Sequence, residues 1–394
     1  MAELGYSKAE LGIVQSIFLL FSYVVPLFSG TLADKYGFKK VLIISYLAYL
    51  PSILLLIYTK SFSGIALTML SIGLAAGIFK PLISGTIRAV TDKTNKTLGF
   101  GIFYAMVNFG ASIGPVIAGQ LRAISWNYAF MAAAICIVFM LLITIFFYKE
   151  PEREEQNASL SDKLKEIREV MLDTKFSVFL IILGIFFWLP FWAFFNMLAL
   201  YIDSSLDTFI LYDNLKGVFG ATILSIFSEI DANGQGRILG ETISHTGYII
   251  FIFQVFVSRI SESFKAIPTF LTGLLIISLG FFVLGYANVG PVSMVFLGIL
   301  FFAIGEMVSS PRIQEYITWI APKEKAGLYM GTNFLAVGIG GALSGVTYTS
   351  LYGYFSDLGH VEYVWYTLGA HQIIGILLIY GYVKVLGEFK ELEK

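Results

Sequence analysis

Eleven apolar stretches, most of them close to 20 residues long, decide what this chain can fold into. A helix needs about 20 apolar residues to cross the hydrocarbon core of a bilayer. The composition agrees, since 57% of the 394 residues are hydrophobic and only 13% are charged, unlike a soluble domain. We therefore expect an all-α, multi-pass integral membrane protein with spans near residues 10–32, 41–59, 64–88, 98–121, 127–148, 177–202, 245–259, 266–287, 291–311, 327–350 and 363–384.

The net charge and the cysteine content narrow the possible functions. A formal net charge of −1 gives no reason to expect a nucleic-acid partner. The one cysteine, Cys136, excludes an intrachain disulfide, and its apolar neighbours predict a buried thiol. Residues 1–15 do not resemble a cleavable signal peptide, because they lack a basic region ahead of a short apolar core. We expect the spanning helices themselves to direct membrane insertion.

The distribution of Lys and Arg orients the predicted helices. When residues 34–40 are placed in the cytoplasm and the sides alternate onward, 20 basic residues lie inside, 5 lie outside and Lys80 lies within the membrane. Basic loops remain on the cytoplasmic side, so we expect a plasma (inner) membrane protein with a cytoplasmic C-terminus. The N-terminus would then lie outside, and the odd helix count suggests that the first helix of a twelve-helix arrangement is missing.

A polar segment, residues 149–175, divides the chain into two unequal halves. It is rich in charges of both signs and predicts a cytoplasmic linker with a short amphipathic helix. Residues 1–148 contain five predicted spans, and residues 176–394 contain six. If the halves are repeats, one helix is absent from the front of the first half.

Internal similarity supports the repeat. Residues 103–121 match residues 328–345 at an offset of 225 positions, which pairs Tyr104 with Tyr329 and Asn108 with Asn333. We therefore expect two pseudo-symmetric helical bundles.

The same offset relates four charged residues of one earlier helix in each half. It brings Lys80 within one residue of Glu306 and Arg88 within one residue of Arg312. The two bundles are thus predicted to carry opposite charges at matching depths of the membrane.

Lys80 is the charged residue that most needs an explanation. A charge near the middle of a spanning helix costs roughly 3 kcal/mol on insertion scales and usually faces a protein-lined cavity. Snorkelling to the interface is the alternative, but eight residues separate Lys80 from Arg88, more than about 10 Å along a helix. Glu306 alone is a weaker candidate, because local neutralisation by Arg312, within two turns, is the alternative interpretation. Its repeat-related position to Lys80 nevertheless favours a functional role. We expect Arg88 and Arg312 to be structural charges at helix ends.

Residues 30–40, "GTLADKYGFKK", contain Gly30, Asp34, Gly37 and the pair Lys39 and Lys40. This pattern resembles the signature between the second and third helices of the major facilitator superfamily. The resemblance implies a two-bundle transporter fold, in which these residues form a gating motif that links helix ends on the cytoplasmic side. A solvated basic loop is the alternative interpretation.

Further stretches, "GIFKPLIS" at 77–84, "GFGIFYAMVNFGASIGP" at 99–115 and the segment 305–340, resemble the proton-dependent oligopeptide transporter family. That resemblance implies that Lys80 and Glu306 line a central peptide site and that Asn108 contacts the peptide backbone. Relatives that transport nitrate, glucosinolates or other solutes share these blocks. The predicted substrate-binding residues are Lys80, Tyr104, Asn108, Asn196, Glu306 and Asn333.

The sequence departs from the oligopeptide transporter pattern at three places. The "E-x-x-E-R" group of the family's first helix has no counterpart, so proton coupling falls to Glu306 as the candidate. Residues 191–197, "FWAFFNM", place Asn196 and Met197 where the family has a polar pair. The segment 203–244 is an insert on the predicted external face, and its apolar residues at helical intervals predict an ordered, amphipathic or re-entrant structure.

The sequence gives no reason to expect a metal or another cofactor. Residues 231–242, "DANGQGRILGET", begin like a calcium loop but end in Thr242 rather than a carboxylate. The three histidines, His245, His360 and His371, lack ligand spacing. No nucleophile, base and orienting partner converge, so we do not expect an enzyme.

We therefore expect a monomeric secondary active transporter, most simply a proton-coupled carrier of di- and tripeptides that works by alternating access. The alternatives are a carrier of another small solute and a truncated, transport-inactive membrane protein. Lys80 and Glu306 are expected to face one another and to form an ion pair until a zwitterionic substrate separates them. Protonation of Glu306 would then weaken its attraction to Lys80.

Overall fold

The structure, a computed structural model, describes residues 8–151, 160–231, 233–322 and 325–390. Its N-terminal half consists of α1 (Lys8–Tyr36), α2 (Phe38–Tyr58), α3 (Phe62–Val90), α4 (Lys96–Ile124) and α5 (Trp126–Phe146).

Local sequence signals set the helix boundaries of this half. Gly37 separates α1 from α2 with a φ of 96°, a backbone conformation that glycine adopts at little cost. Ser61 accepts the backbone N–H of Gly64 at 3.2 Å ahead of α3, and such a cap satisfies a donor that the helix leaves unpaired.

The linker and the C-terminal half follow. Residues 152–159 of the predicted linker lie outside the described residues, and the rest contains the expected short helix, α6 (Leu160–Leu172). The first span of this half joins α7 (Thr174–Leu183), a π turn (Gly184–Trp188) and α8 (Leu189–Ser205). After the insert come α11 (Gly247–Ser261), α12 (Ala266–Val289), α13 (Met294–Trp319), α14 (Ala326–Asp357) and α15 (Tyr363–Leu386).

All eleven predicted spanning segments are helical. Nine helices among the described residues are long and apolar enough to cross a membrane, counting α7, the π turn and α8 as one helix of 32 residues. The two remaining predicted segments form α1, with 29 residues, and α11, with 15. The prediction of an all-α membrane fold is confirmed.

The insert is ordered in the described residues. It contains α9 (Thr208–Leu224), an antiparallel pair of strands, β1 (Ser228–Ile230) and β2 (Gly236–Ile238), and a short turn of helix, α10 (Gly240–Ile243). Asp203 at the end of α8 accepts the Gly240 N–H at 2.7 Å and so fixes the second end of the insert.

The beginning of the calcium-like stretch serves as a turn in the insert. The carboxylate of Asp231 accepts the backbone N–H groups of Asn233 and Gln235, at 2.9 and 2.8 Å. These bonds hold the connection between β1 and β2.

Each half has an apolar core, and the halves meet along α1 with α14 and along α4 with α11 and α13. A Cβ atom on Gly327 would lie 2.8 Å from the carbonyl oxygen of Gly30, so α1 and α14 approach this closely only because both positions are glycine.

Cys136 lies on the exposed face of α5. The prediction of a buried thiol is wrong, because the apolar face that surrounds Cys136 points away from the helices rather than into them.

One polar junction joins α12 to the start of α15. Glu362 accepts hydrogen bonds from Asn288 at 3.1 Å and pairs with the imidazole of His360 at 3.1 Å. Burial raises the pKa of Glu362, but its own backbone N–H and these two side chains outweigh burial and hold the pKa below its usual range.

Candidate functional site

Lys80 lies near the middle of α3, and its ammonium group reaches towards α1. The ammonium donates to the hydroxyl of Ser22 at 2.5 Å and to the Ser22 carbonyl oxygen at 3.3 Å. It also lies 4.0 Å from the ring centre of Tyr23, within the range of a cation–π interaction. The ring of Trp192 from the other half stands edge-on to Tyr23, with 6.3 Å between centres.

Small residues bring α1 this close to Lys80. A Cβ atom on Gly73 would meet the carbonyl oxygen of Phe18 at 2.8 Å, and one on Gly77 would meet the Cβ of Val25 at 2.7 Å. Glycine at both positions removes that obstacle. Because these glycines let α1 pack closely against α3, Ser22 and Tyr23 of α1 can contact Lys80.

Glu306 lies in the middle of α13 and is 1% exposed. Its carboxylate accepts the hydroxyl of Tyr104 at 2.5 Å and the hydroxyl of Thr246 at 3.0 Å. Tyr104 belongs to α4 and Thr246 precedes α11, so the carboxylate joins the two halves through neutral donors.

The expected ion pair between Lys80 and Glu306 does not form. In the part of the chain that the structure describes, neither side chain has an opposite charge within ion-pair distance. The alternative interpretation, in which Arg312 neutralises Glu306, does not apply either, because Arg312 pairs with Glu315 on its own helix. Hydroxyl groups from other segments bind both charged side chains instead. The residue pattern along one helix does not show which groups of other helices will lie beside it.

The three predicted asparagines occupy different environments. Asn108 is buried and donates to the carbonyl oxygen of Tyr104 at 3.0 Å, one turn away. Asn333 is fully buried, and its amide nitrogen lies 3.9 Å from the sulfur of Met330. Asn196 is exposed on α8 and donates to the hydroxyl of Ser344 at 3.1 Å. The structure thus places only Asn108 beside the Tyr104 and Glu306 pair.

The predicted gating motif connects the two halves. Asp34, near the end of α1, accepts the backbone N–H of Leu328 at 3.2 Å. Leu328 is the third residue of α14, so the carboxylate meets the positive end of that helix. Lys39 of the same motif donates to the carbonyl oxygen of Ile145 at 2.9 Å and so binds the end of α5.

A matching contact in the second half was missed from the sequence. Glu262 directly follows α11 and accepts the N–H of Leu98 at 3.2 Å; Leu98 is the third residue of α4. Asp34 and Glu262 are 228 positions apart, close to the offset of the internal repeat. The offset of 225 positions leads from Asp34 to Arg259, three residues before Glu262, so the repeat indicates this helix end but not the residue itself.

A buried cluster of charges at the same end of the bundle was missed as well. Glu315 of α13 is fully buried and accepts Lys96 at 3.3 Å, the Thr97 hydroxyl at 2.8 Å and Arg312. We call Arg88, Lys96, Thr97, Arg312, Glu315 and Trp319 the gate cluster.

Two cations of the first half, Arg88 and Lys96, also contact the Trp319 ring of the second half in this cluster. The guanidinium carbon of Arg88 lies 3.8 Å from the centre of the Trp319 ring, and the ammonium of Lys96 lies 4.4 Å from it. Arg88 lies near the end of α3 as predicted, but the prediction is wrong for Arg312, because α13 continues for two turns beyond it to Trp319. The partners of Arg88 and Arg312 are a ring and a carboxylate. The spacing of Arg312 and Glu315 by three residues was the available signal.

Several polar contacts thus join the two halves at the end that carries residues 34–40. Asp34, Glu262 and the gate cluster all join α3, α4 or α1 to α11, α13 or α14 near this end. The described conformation is closed on that side.

The sequence model of the family described as the Major Facilitator Superfamily matches residues 1–230. The quinolone resistance protein NorA of Staphylococcus aureus is 27% identical over 153 residues, which are 39% of this chain and 39% of that protein. The match therefore spans well under half the length of that relative. The class H tetracycline resistance protein of Pasteurella multocida is 24% identical over 348 residues, covering 87% of this chain and 79% of that protein.

Solved structures share the fold. The crystal structure of the human organic anion transporter MFSD10 (TETRAN) superposes with a TM-score of 0.69 at 15% identity, covering 93% of this chain and 83% of that one. A POT family transporter in complex with 5-aminolevulinic acid gives a TM-score of 0.63 at 20% identity, covering 98% and 90%. The proton:xylose symporter XylE gives 0.67 at 13% identity, covering 96% and 88%.

Proposed function

The chain belongs to the Major Facilitator Superfamily, and on that basis we propose that it is a secondary transporter of a small organic solute bearing a carboxylate. Transport proceeds by alternating access, with the two halves opening in turn on either side of the membrane. The conformation closed at the gate cluster is one end of this cycle.

One observation carries the proposal. Lys80 and Glu306 lie within spanning helices of opposite halves, and the described part of the chain supplies each only with neutral or aromatic partners. An ionised group in that position is costly unless a counter-charge can reach it. A solute with a carboxylate supplies that counter-charge to Lys80, and an ammonium group on the same solute supplies it to Glu306.

We propose a zwitterion such as a di- or tripeptide as the substrate. The similarity of motifs to the oligopeptide transporters supports this class, as does the shared fold with a POT family transporter that binds 5-aminolevulinic acid. Tyr104, Asn108, Asn196 and Asn333 are proposed as further polar contacts of the solute.

Efflux of an aromatic drug is a second candidate function. The similarity to two proteins named for resistance to quinolones and tetracyclines favours it. The ring of Tyr23 beside Lys80, with Trp192 edge-on, would suit an acid attached to a flat ring.

We propose that Glu306 couples transport to protons. The ionised carboxylate accepts hydrogen bonds from Tyr104 and Thr246 together, whereas the protonated acid must donate one of its own. Protonation would thus turn one acceptor oxygen into a donor, replace a charge-assisted bond by a neutral one and loosen the contact between α4 and α13. The shared fold with proton symporters of xylose and fucose is consistent with this role.

The decisive experiment is counterflow of labelled dialanine in proteoliposomes that contain the purified chain. We expect counterflow in the wild type and at least a tenfold rise of KM in Lys80→Ala, because a charge-assisted hydrogen bond contributes about 1.5–3 kcal/mol. Lys80→Arg should retain part of the activity, and Lys60→Ala, at the exposed far end of α2, is the matched control.

Separate outcomes distinguish the candidates. Transport of norfloxacin or tetracycline without dialanine would replace the peptide substrate by the drug substrate. Full dialanine counterflow in Lys80→Ala would contradict the role of Lys80. For proton coupling, we expect Glu306→Gln to keep counterflow and to lose uptake driven by a pH gradient.

A further inference from the structure

A pocket of about 430 Å³ lies outside the central site, where the end of α1, the start of α2 and the chain after α5 meet. Its wall consists of Tyr36, Lys39, Lys40, Ile43, Ile44 and Glu150. None of these residues belongs to the proposed solute site. The pocket is open, and it lies at the level where α2 begins as a spanning helix.

The carboxylate among the lining residues of this pocket is bound to the backbone. Both oxygens of Glu150 accept backbone N–H groups at the start of α2, from Phe38 at 2.8 Å and from Lys39 at 2.7 Å. The carboxylate therefore already occupies the positive end of this helix. The side chain of Lys39 is bound to the end of α5.

Lys40 is the cation that the pocket offers to a ligand. It is exposed, and within the described residues its ammonium contacts only the ring of Tyr36, at 5.7 Å from the centre. Lys35 lies over the same ring at 5.2 Å. The exposed ammonium of Lys40 beside this ring is therefore the group that attracts an anion.

The other side of the pocket is apolar and continues along the spanning helix. Ile43 and Ile44 lie one turn after the lysines, and Ile44 is 51% exposed. Leu47, the next exposed residue of the same face, is 55% exposed. A ligand held at Lys40 therefore meets an apolar surface that runs into the membrane.

We propose that this pocket binds an anionic phospholipid of the leaflet on the side of residues 34–40. The phosphate lies against Lys40 and the Tyr36 rim, and an acyl chain lies along Ile44 and Leu47. Juxtamembrane lysines attract anionic lipids with about 1 kcal/mol each, and lysine stems can reach the interface from within a span. A free phosphate would make use of the charge but not of the apolar wall.

Native mass spectrometry of the detergent-purified chain tests the proposal without reference to transport. Titration with phosphatidylglycerol and with phosphatidylcholine measures the preference for the anionic headgroup. We expect the wild type to prefer phosphatidylglycerol, and Lys40→Gln to weaken its binding about fivefold. Lys40→Arg should retain the preference, since the charge remains.

Two further measurements keep the result specific. Lys60→Gln removes an exposed lysine beyond the opposite end of α2 and should leave binding unchanged. Ile44→Asn should weaken the binding of phosphatidylglycerol without changing how strongly inorganic phosphate competes with the lipid.

An equal preference in the wild type and in Lys40→Gln would overturn the site. If inorganic phosphate displaces the lipid completely and Ile44→Asn binds the lipid as the wild type does, the pocket is a site for free anions. That result would refute the proposal that its ligand is a phospholipid.

Discussion

Replacing Glu315 by glutamine should open the end of the transporter that the gate cluster closes. Glu315 is fully buried, and the side chain of Lys96 is 10% exposed. The carboxylate contacts both Lys96 and Thr97 of the other half. Glu315→Gln keeps the shape of the side chain but leaves Lys96 and Arg312 without their shared negative charge.

The free energy that Glu315 contributes to the closed conformation depends on which of its contacts join the two halves. Breaking a buried ion pair costs about 3–5 kcal/mol, but Arg312 lies on the same helix as Glu315, so its loss affects both conformations. The contacts to Lys96 and Thr97 exist only while the halves touch. We therefore assign about 2 kcal/mol to the closed state, which shifts the equilibrium roughly thirtyfold. An open population of about 5% would rise to about 60%.

Distance measurements between spin labels can detect this shift. Lys93 and Lys265 are exposed at the same end of the two halves, so Lys93→Cys and Lys265→Cys in a Cys136→Ala background carry the labels. We expect a longer-distance population to grow in Glu315→Gln. Glu166→Gln is the matched control, because Glu166 and Lys325 form a partly exposed pair at 3.9 Å, and such pairs contribute about 0–1 kcal/mol. Identical distance distributions in Glu315→Gln and the wild type would refute the role of the gate cluster.

Three further predictions concern other contacts. Gly30→Leu should abolish closure and reduce transport at least tenfold, because its side chain would collide with the backbone of Gly327; normal transport would show that α1 and α14 do not need this approach. Tyr104→Phe removes one donor to Glu306 and should shift the pH profile of gradient-driven uptake while leaving counterflow active, whereas an unchanged profile would argue against coupling at this carboxylate. The pKa of Glu362 is held below its usual range, so its stabilising effect is present above the ordinary carboxyl pKa of about 4.3 and is lost as the pH falls through the lower folded value; thermal unfolding between pH 7 and pH 3 should therefore depend less on pH in Glu362→Gln, and an identical dependence would contradict this.

The sequence by itself determined the spanning segments and the division into halves. Both depend on local properties, since the length of an apolar stretch and the position of a polar linker can be read without knowing any neighbour. The depth of Lys80 and Glu306 within their helices follows in the same way. The sequence also identified Asp34 as part of a motif at a helix end, but it did not identify Glu262, which makes the corresponding contact in the second half.

Only the tertiary structure decided which groups these charges meet. Ser22 and Tyr23 reach Lys80 from another helix, and Tyr104 reaches Glu306 from the other half. Such partners depend on how helices rotate and approach one another, which the pattern along one helix does not specify. For the same reason the sequence could only offer Arg312 as one alternative partner of Glu306, within two turns of the same helix. Packing instead places Arg312 against Glu315 and Thr97, and Lys96 of α4 shares the carboxylate of Glu315. Depth in the membrane is a property of one segment, but an ion pair is a property of two surfaces in contact.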